Sequence, residues 1–265
     1  MQPSGEVGRV EVDGQPSPPA DRYRYPTQEH RMKYGIAFTI MAALIAYIAI
    51  INGGLAYLLL WSALSFLLVA FAYFGAGPTV FGKQQSGTLQ PIRQLVLAPF
   101  LLYLSLVWHM VRLISREAPY DRLTESVFIG RRLLSSERPK QFDHVVDLTC
   151  EFNEPSAMRS TGYISFPTLD TLHPSIEELR RRVEIIANLD GTVYIHCAQG
   201  HGRTATLAIA YLIHTGHSAT LDEAIRYVLD RRPLAHLGRS QRQLLQALRM
   251  SGEHSIHPSG GSAAG

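Results

Sequence analysis

Residues 35–82 contain no Asp, Glu, Lys, Arg or His, an unbroken run of 48 uncharged positions. A helix crosses the hydrocarbon core of a bilayer with about 20 apolar residues at 1.5 Å per residue. The run is therefore too long for one crossing and suits two. Its natural break is Asn52-Gly53-Gly54, a turn signal without charge. The reading is two transmembrane helices, at about residues 35–51 and 55–74, forming a hairpin over 35–76. Buried helices of a soluble core fit poorly, because such helices usually carry a polar stripe and these windows hold few polar residues.

The flanks orient the hairpin. Arg22, Arg24, Arg31 and Lys33 precede it, Lys83 and Arg93 follow it, and its tip carries no cation. Cations favour the cytoplasmic side, which places both ends there. The reading is an integral, multi-pass protein of the plasma membrane with its C-terminal half at the cytoplasmic face. Residues 1–34 are rich in Pro, Gly, Gln and charge and read as a disordered tail. No apolar stretch with a small-residue cleavage site lies near Met1, so a secretory signal is not expected. A third apolar run, 95–111, falls within a connecting segment of 77–118 and contains Pro99, Ser105 and His109. It either spans or lies in the membrane interface. The arginines that crowd its C-terminal side, from Arg112 to Arg132, favour the non-spanning reading.

From about residue 119 the pattern changes to short apolar strands alternating with amphipathic helices. Strand candidates are 126–129, 144–148, 162–166 and 192–196, rich in Val, Ile, Tyr and Phe. Ser175 with Glu178, and Thr220 with Glu223, form capping boxes ahead of two helices. A further helix, about 203–215, stops at Gly216, a natural C′ residue. The expected fold class is α/β, a central sheet flanked by helices over 119–250, preceded by the helical hairpin. Residues 251–265, rich in Gly and Ser, read as a second disordered tail. The chain's only two cysteines, Cys150 and Cys197, exclude a disulfide scaffold and a four-cysteine metal site.

The chemistry concentrates at His196-Cys197-Ala198-Gln199-Gly200-His201-Gly202-Arg203-Thr204. An apolar strand delivers Cys197, a loop with two glycines follows, and a helix begins at the arginine. Glycines let consecutive backbone N–H groups face inward as an anion nest, and the helix N-terminus adds positive potential. Residues 198–203 would thus form a phosphate cradle, with Arg203 offering a planar fork to two phosphate oxygens. The same field favours the thiolate of Cys197, poised for attack on phosphorus. Thr204 is expected to donate its hydroxyl to the sulfur.

His-Cys-x5-Arg-Thr between strand and helix resembles the signature of the protein tyrosine phosphatase superfamily, and the compact domain most resembles the dual-specificity branch. The resemblance covers about half of the chain. It implies a phosphocysteine intermediate, no metal or other cofactor, and an upstream aspartate as general acid. Asp170, in Phe166-Pro167-Thr168-Leu169-Asp170, is the candidate for that acid. Asp147, inside a predicted strand, and Asp190, in an Asp-Gly turn, read as structural. Gln199 stands where the branch usually has a small residue, and His201 puts a titratable group on the rim. A basic residue at that loop position is similar to lipid-directed members of the superfamily; the other reading is a histidine that hydrogen-bonds the loop or faces solvent.

Cys150 is either a resolving thiol for Cys197 or a small buried hydrophobe. Arg180, Arg181 and Arg182 read as a solvated helix face, able to meet anionic lipid beside a membrane. No histidine spacing suits a metal, and the scattered cations lack an aromatic platform for nucleic acid. The reading is a membrane-anchored cysteine phosphatase whose partners are membrane lipids and a phosphorylated protein or phospholipid substrate. A non-catalytic phosphate-binding module is the alternative.

Overall fold

The computed structural model describes residues 27–137, 142–159 and 162–253. Helix α1 (Thr27–Asn52) runs to the Asn-Gly-Gly tip, where Gly53 and Gly54 both adopt positive φ (58° and 54°). Two successive left-handed residues cannot continue a right-handed helix, and glycine adopts them without a Cβ clash. The chain then climbs through a 3₁₀ turn into α2 (Leu59–Phe71), and irregular helical turns carry it on to Phe81. Residues 27–34, expected in the N-terminal tail, are thus helical, and the helical path of the hairpin ends later than residue 76. The rest of that tail, 1–26, lies outside the described residues.

The two arms meet through small side chains. Ala42, Ala49, Ala63 and Ala70 are buried, and a Cβ on Gly35 would come within 2.6 Å of the Phe74 ring. Small residues let helix backbones approach closely where both partners are apolar outside. The outer faces are large, apolar and exposed, among them Ile40, Leu44, Tyr47, Ile51, Leu58 and Leu64. Both arms are long and apolar enough to cross a membrane, and less than a third of either is buried. A soluble core helix would be mostly covered.

The expected 77–118 linker is ordered and packed. Lys83 and Leu89 pair as an antiparallel bridge, and α3 (Pro91–Val96) leads into α4 (Ala98–Ile114). Helix α4 spans about 25 Å, short of the ~30 Å hydrocarbon core. One face of α4 buries Phe100 and Trp108, while Leu102, Leu106, Met110 and Leu113 are exposed on the other.

The α/β domain is a five-stranded sheet of order β1-β2-β5-β3-β4. Its strands are β1 (Tyr120–Arg122), β2 (Val127–Arg131), β3 (His144–Thr149), β4 (Gly162–Thr168) and β5 (Val193–Cys197). Only β1, which the sequence pattern did not reveal, is antiparallel to its neighbour. The central strands β3 and β5 are almost wholly buried, as parallel strands covered on both faces must be. The helices are α5 (Ile176–Ala187), α6 (Gly202–His214), α7 (Leu221–Arg231) and α8 (Arg239–Glu253). Ser175 and Thr220 cap α5 and α7 by accepting from the backbone N–H of Glu178 and Glu223. Helix α8 takes in residues 251–253 of the expected C-terminal tail, and 254–265 lie outside the described residues.

Arg182 corrects the expected solvated face. It is buried, donating to Thr168 Oγ1 at 2.7 Å and pairing with Glu178 at 2.8 Å. Helix α5 turns that position toward β4, while Arg181 stays outside on the same glutamate.

An apolar cluster crosses the boundary between the two halves. Val69, Ala72, Tyr73, Val80, Phe81, Leu97 and Phe100 pack in one group with Cys150, Leu169 and Leu172 of the α/β domain. Lys83 adds an ion pair to Asp147 at 2.7 Å, with both side chains fully buried. Lys83 is therefore a structural counter-ion rather than a juxtamembrane cation facing head groups.

Candidate active site

Cys197 ends β5, opposite Arg131 in the register with β2. The loop then turns sharply at Gly200, whose φ is +76°. A Cβ at Gly200 would lie 2.4 Å from the Gly130 carbonyl carbon, so both the backbone sign and the space demand glycine. Gly200→Ala is expected to cost about 1–3 kcal/mol in backbone strain alone, before any clash. Chemical denaturation of the purified variant checks this, and an unchanged midpoint would contradict it.

The loop closes around the sulfur. Gly200 N donates to Cys197 Sγ at 3.2 Å, and α6 begins at Gly202, one residue before the predicted start. Thr204 does not make its predicted bond. It is fully buried, and its Oγ1 has no hydrogen-bond partner among the described residues. Its place in the first turn of α6 sets it in the core, and the sulfur has taken a backbone donor instead.

Arg203 is buried against a residue the sequence did not single out. Glu151 accepts from both terminal nitrogens, at 2.7 and 3.1 Å, and the Thr168 carbonyl accepts at 2.8 Å. Burial works against the charge on Arg203. Glu151 and then Asp170 more than offset it and hold the group charged well above the usual range. Its Nε is buried and has no hydrogen-bond partner among the described residues. Asp170 Oδ1 lies 3.3 Å from Arg203 Nη2, and its side chain is 65% exposed. The structure thus brings Cys197, Arg203 and Asp170 to one place. Thr171, next to Asp170, takes φ +63°, a strained conformation for a β-branched residue. Asp147 and Asp190 stay apart from this group, Asp147 buried on Lys83 and Asp190 exposed at its turn.

His201 is not a free cation on the rim. Its Nε2 lies 2.6 Å from Glu117 Oε2, and the same carboxylate pairs with Arg232 at 3.4 Å. Arg232 is the second residue missed by sequence. Fully buried, it donates to the carbonyls of Gly200 at 2.9 Å and Gln199 at 3.1 Å, and to Asp121 at 2.8 Å. No motif could have paired it with a loop 32 residues upstream.

Cys150 is buried, and its Sγ donates to Glu151 Oε2 at 3.3 Å. Burial first, and then Glu151, push its thiol well up, and a protonated thiol is a poor nucleophile.

A third unforeseen group lies beneath β5. Asp147, Glu154 and His196 each offer a potential ligand atom within 4.8 Å of the others, all buried. Asp147 already holds the Lys83 ammonium and the Tyr163 hydroxyl, and Arg132 flanks Glu154 at 3.5 Å. Those two cations occupy the role a metal would take. Burial, and then Asp147, push Glu154 well up, and burial lowers His196 to about 4, so the imidazole stays neutral near pH 7.

A mixed-sheet domain with a strand-borne cysteine, a glycine turn and a buried, carboxylate-anchored arginine defines the cysteine-phosphatase class. The family model "Dual specificity phosphatase, catalytic domain" matches residues 130–250. Human dual specificity protein phosphatase 14 is 32% identical over 124 residues, 43% of this chain and 60% of its own. Phosphatidylglycerophosphate phosphatase PTPMT2 of Arabidopsis thaliana is 30% identical over 161 residues, 55% of this chain and 70% of its own. The crystal structure of Tk-PTP in the active form superposes with a TM-score of 0.46 at 26% identity, covering 50% of this chain and 97% of that one.

The chain belongs to the dual-specificity phosphatase branch of the protein tyrosine phosphatase superfamily. It spans about 60% of the length of dual specificity protein phosphatase 14.

Proposed function

We propose that this protein is a membrane-anchored phosphatase that hydrolyses phosphate monoesters through a phosphocysteine intermediate. The reading is supported by the Gly200 N–H bond to Cys197 Sγ together with an Arg203 that feels the Cys197 charge and pairs with Asp170. An entering phosphate displaces Asp170 from Arg203, taking Arg203 Nε and the inward N–H groups as donors. The Cys197 thiolate attacks phosphorus, an S–P bond forms, and the ester P–O bond breaks. Asp170 gives its proton to the leaving oxygen. Water then attacks the phosphocysteine, Asp170 takes its proton, and the S–P bond breaks to restore the thiolate. Such acid–base help is typically worth about 10²–10⁴ in rate.

The apolar hairpin supports anchoring in a cell membrane with the α/β domain at the cytoplasmic face. Helix α4 supports a non-spanning placement, because Trp108 and Arg112 both bond to the α/β domain. A phospholipid head group is the substrate favoured by this arrangement. The Tyr73 hydroxyl of the hairpin donates to the Asp170 carbonyl at 3.3 Å, so the acid loop sits against the apolar module. The likeness to phosphatidylglycerophosphate phosphatases supports the same class.

The test uses the full-length protein in liposomes beside Cys197→Ser, offered phosphatidylglycerophosphate, other phospholipid monoesters, and phosphotyrosine and phosphoserine peptides. Release of lipid phosphate far faster than peptide phosphate, abolished in the variant, is the expected result. The reverse preference would make it a phosphoprotein phosphatase. No release by the wild type from any substrate would leave the phosphate-binding module.

A further inference from the structure

Trp108 lies outside the matched family domain, on a helix whose other face is exposed and apolar. It is 2% exposed, while Leu102, Leu106 and Leu113 of the same helix are more than half exposed. An indole N–H is a donor only, and a buried one needs an acceptor. Trp108 Nε1 finds the carbonyl of Ala198, in the Cys197 loop, at 2.8 Å. The ring is held in place by the Arg132 guanidinium, 5.4 Å from its centroid, and by Phe152 at 6.0 Å.

A trans peptide is planar, with its C=O and N–H pointing in opposite directions. Anchoring a carbonyl on the outside of the loop therefore turns the next residue's N–H inward. One peptide of this loop displays the relation directly. The Gln199 carbonyl is held from outside by Arg232 at 3.1 Å, and the N–H of the same peptide, on Gly200, reaches Cys197 Sγ. The Gly200 carbonyl is held by Arg232 as well. The Ala198 peptide is held from the other side, by Trp108 and by the backbone N–H of Arg132 at 3.2 Å.

We propose that Trp108 is a positioning residue that turns the Gln199 amide into the phosphate nest, making the membrane-associated helix α4 a working part of the site and not only a tether. The inference rests on the reading of the Cys197 loop as a phosphate cradle. It assigns the cradle's fixed shape to Arg232 and the Arg132 N–H from within the family domain and to Trp108 from the apolar module, which shares the Ala198 carbonyl with Arg132. A phosphatase domain cut free at residue 119 would keep Arg232 and the Arg132 N–H and lose the side-chain donor of Trp108.

The experiment compares full-length wild type, Trp108→Phe and Leu106→Ala in liposomes, with p-nitrophenyl phosphate as substrate and orthovanadate as inhibitor. Leu106 is on the same helix and faces away from the domain. Losing one inward donor should raise the vanadate inhibition constant and KM by about tenfold in Trp108→Phe, while Leu106→Ala matches wild type. A packing defect would lower the amount of active enzyme and leave the vanadate constant unchanged. Should Trp108→Phe unfold, benzothienylalanine at position 108 keeps the indole shape and replaces only the N–H by sulfur, and the same rise is expected. Unchanged vanadate and KM values in the folded variant overturn the inference. An inactive wild type, indistinguishable from Cys197→Ser, would instead overturn the phosphatase reading on which it stands.

Discussion

Arg203→Lys is expected to lower kcat/KM for p-nitrophenyl phosphate by about 10²–10³, the usual cost of removing one preorganised donor to a developing charge. The substitution keeps a positive charge beside Glu151, so the fold should survive. It removes the geometry. Arginine meets Glu151 with both terminal nitrogens and leaves Nε, in the same plane, for a phosphate oxygen. Lysine offers a single ammonium on a flexible stem, which can satisfy Glu151 or the substrate but cannot hold both in a fixed plane. Steady-state kinetics of full-length protein in liposomes, with a thermal unfolding check, reads the effect. A loss of less than about threefold would show that Arg203 does not contact the transferred phosphoryl group.

Lys83→Met should destabilise the junction of the two halves by about 3–5 kcal/mol, the range for breaking one partner of a buried ion pair. Asp147 is wholly buried on β3 and accepts from Lys83, Thr149 and Tyr163. Burial opposes its ionisation, but Lys83 holds its carboxyl well below the usual range. Without Lys83 the carboxylate is left uncompensated in the core. Lys83 also donates to the Phe152 carbonyl, so the loop between hairpin and α3 loses that bond with the ion pair. Lys83→Met combined with Asp147→Asn should recover much of the loss, since the unpaired charge is then gone. Denaturation of the single and double variants in one detergent closes the cycle. A single-variant loss under about 1 kcal/mol would mean that the pair holds nothing together.

Periodicity and punctuation account for most of what could be read without coordinates. The uncharged run broken by Asn-Gly-Gly announced two apolar helices because a missing charge and a flexible turn are local properties of the chain. The four parallel strands were visible as Val- and Ile-rich segments, within a residue or two. Ser175 and Thr220 marked their helix starts because capping involves residues three apart. Cys197, Gly200 and Arg203 were legible for the same reason, lying within one loop whose backbone demands are local.

The partners of those residues were not legible. Glu151 reaches Arg203 from 52 positions away, Arg232 clamps the loop from downstream, and Trp108 does so from 90 positions upstream. None sits in a motif, because a buried donor or acceptor is satisfied by whichever chain segment the fold brings near. Thr204 was misjudged from the opposite side. Its type suited a bond to sulfur, but the sulfur accepts from the Gly200 N–H, while the partner of His201, Glu117, lay outside any motif. Arg182 looked solvated only because a run of arginines does not reveal which of them faces a strand.

The sequence by itself determined the element types, the place of the cysteine loop and the apolar character of the first half, since each depends on neighbours within a few residues. Tertiary structure decided which charges are neutralised, which carbonyls are held and that the two halves share one core, because those are matters of through-space desolvation and pairing between segments far apart in the chain.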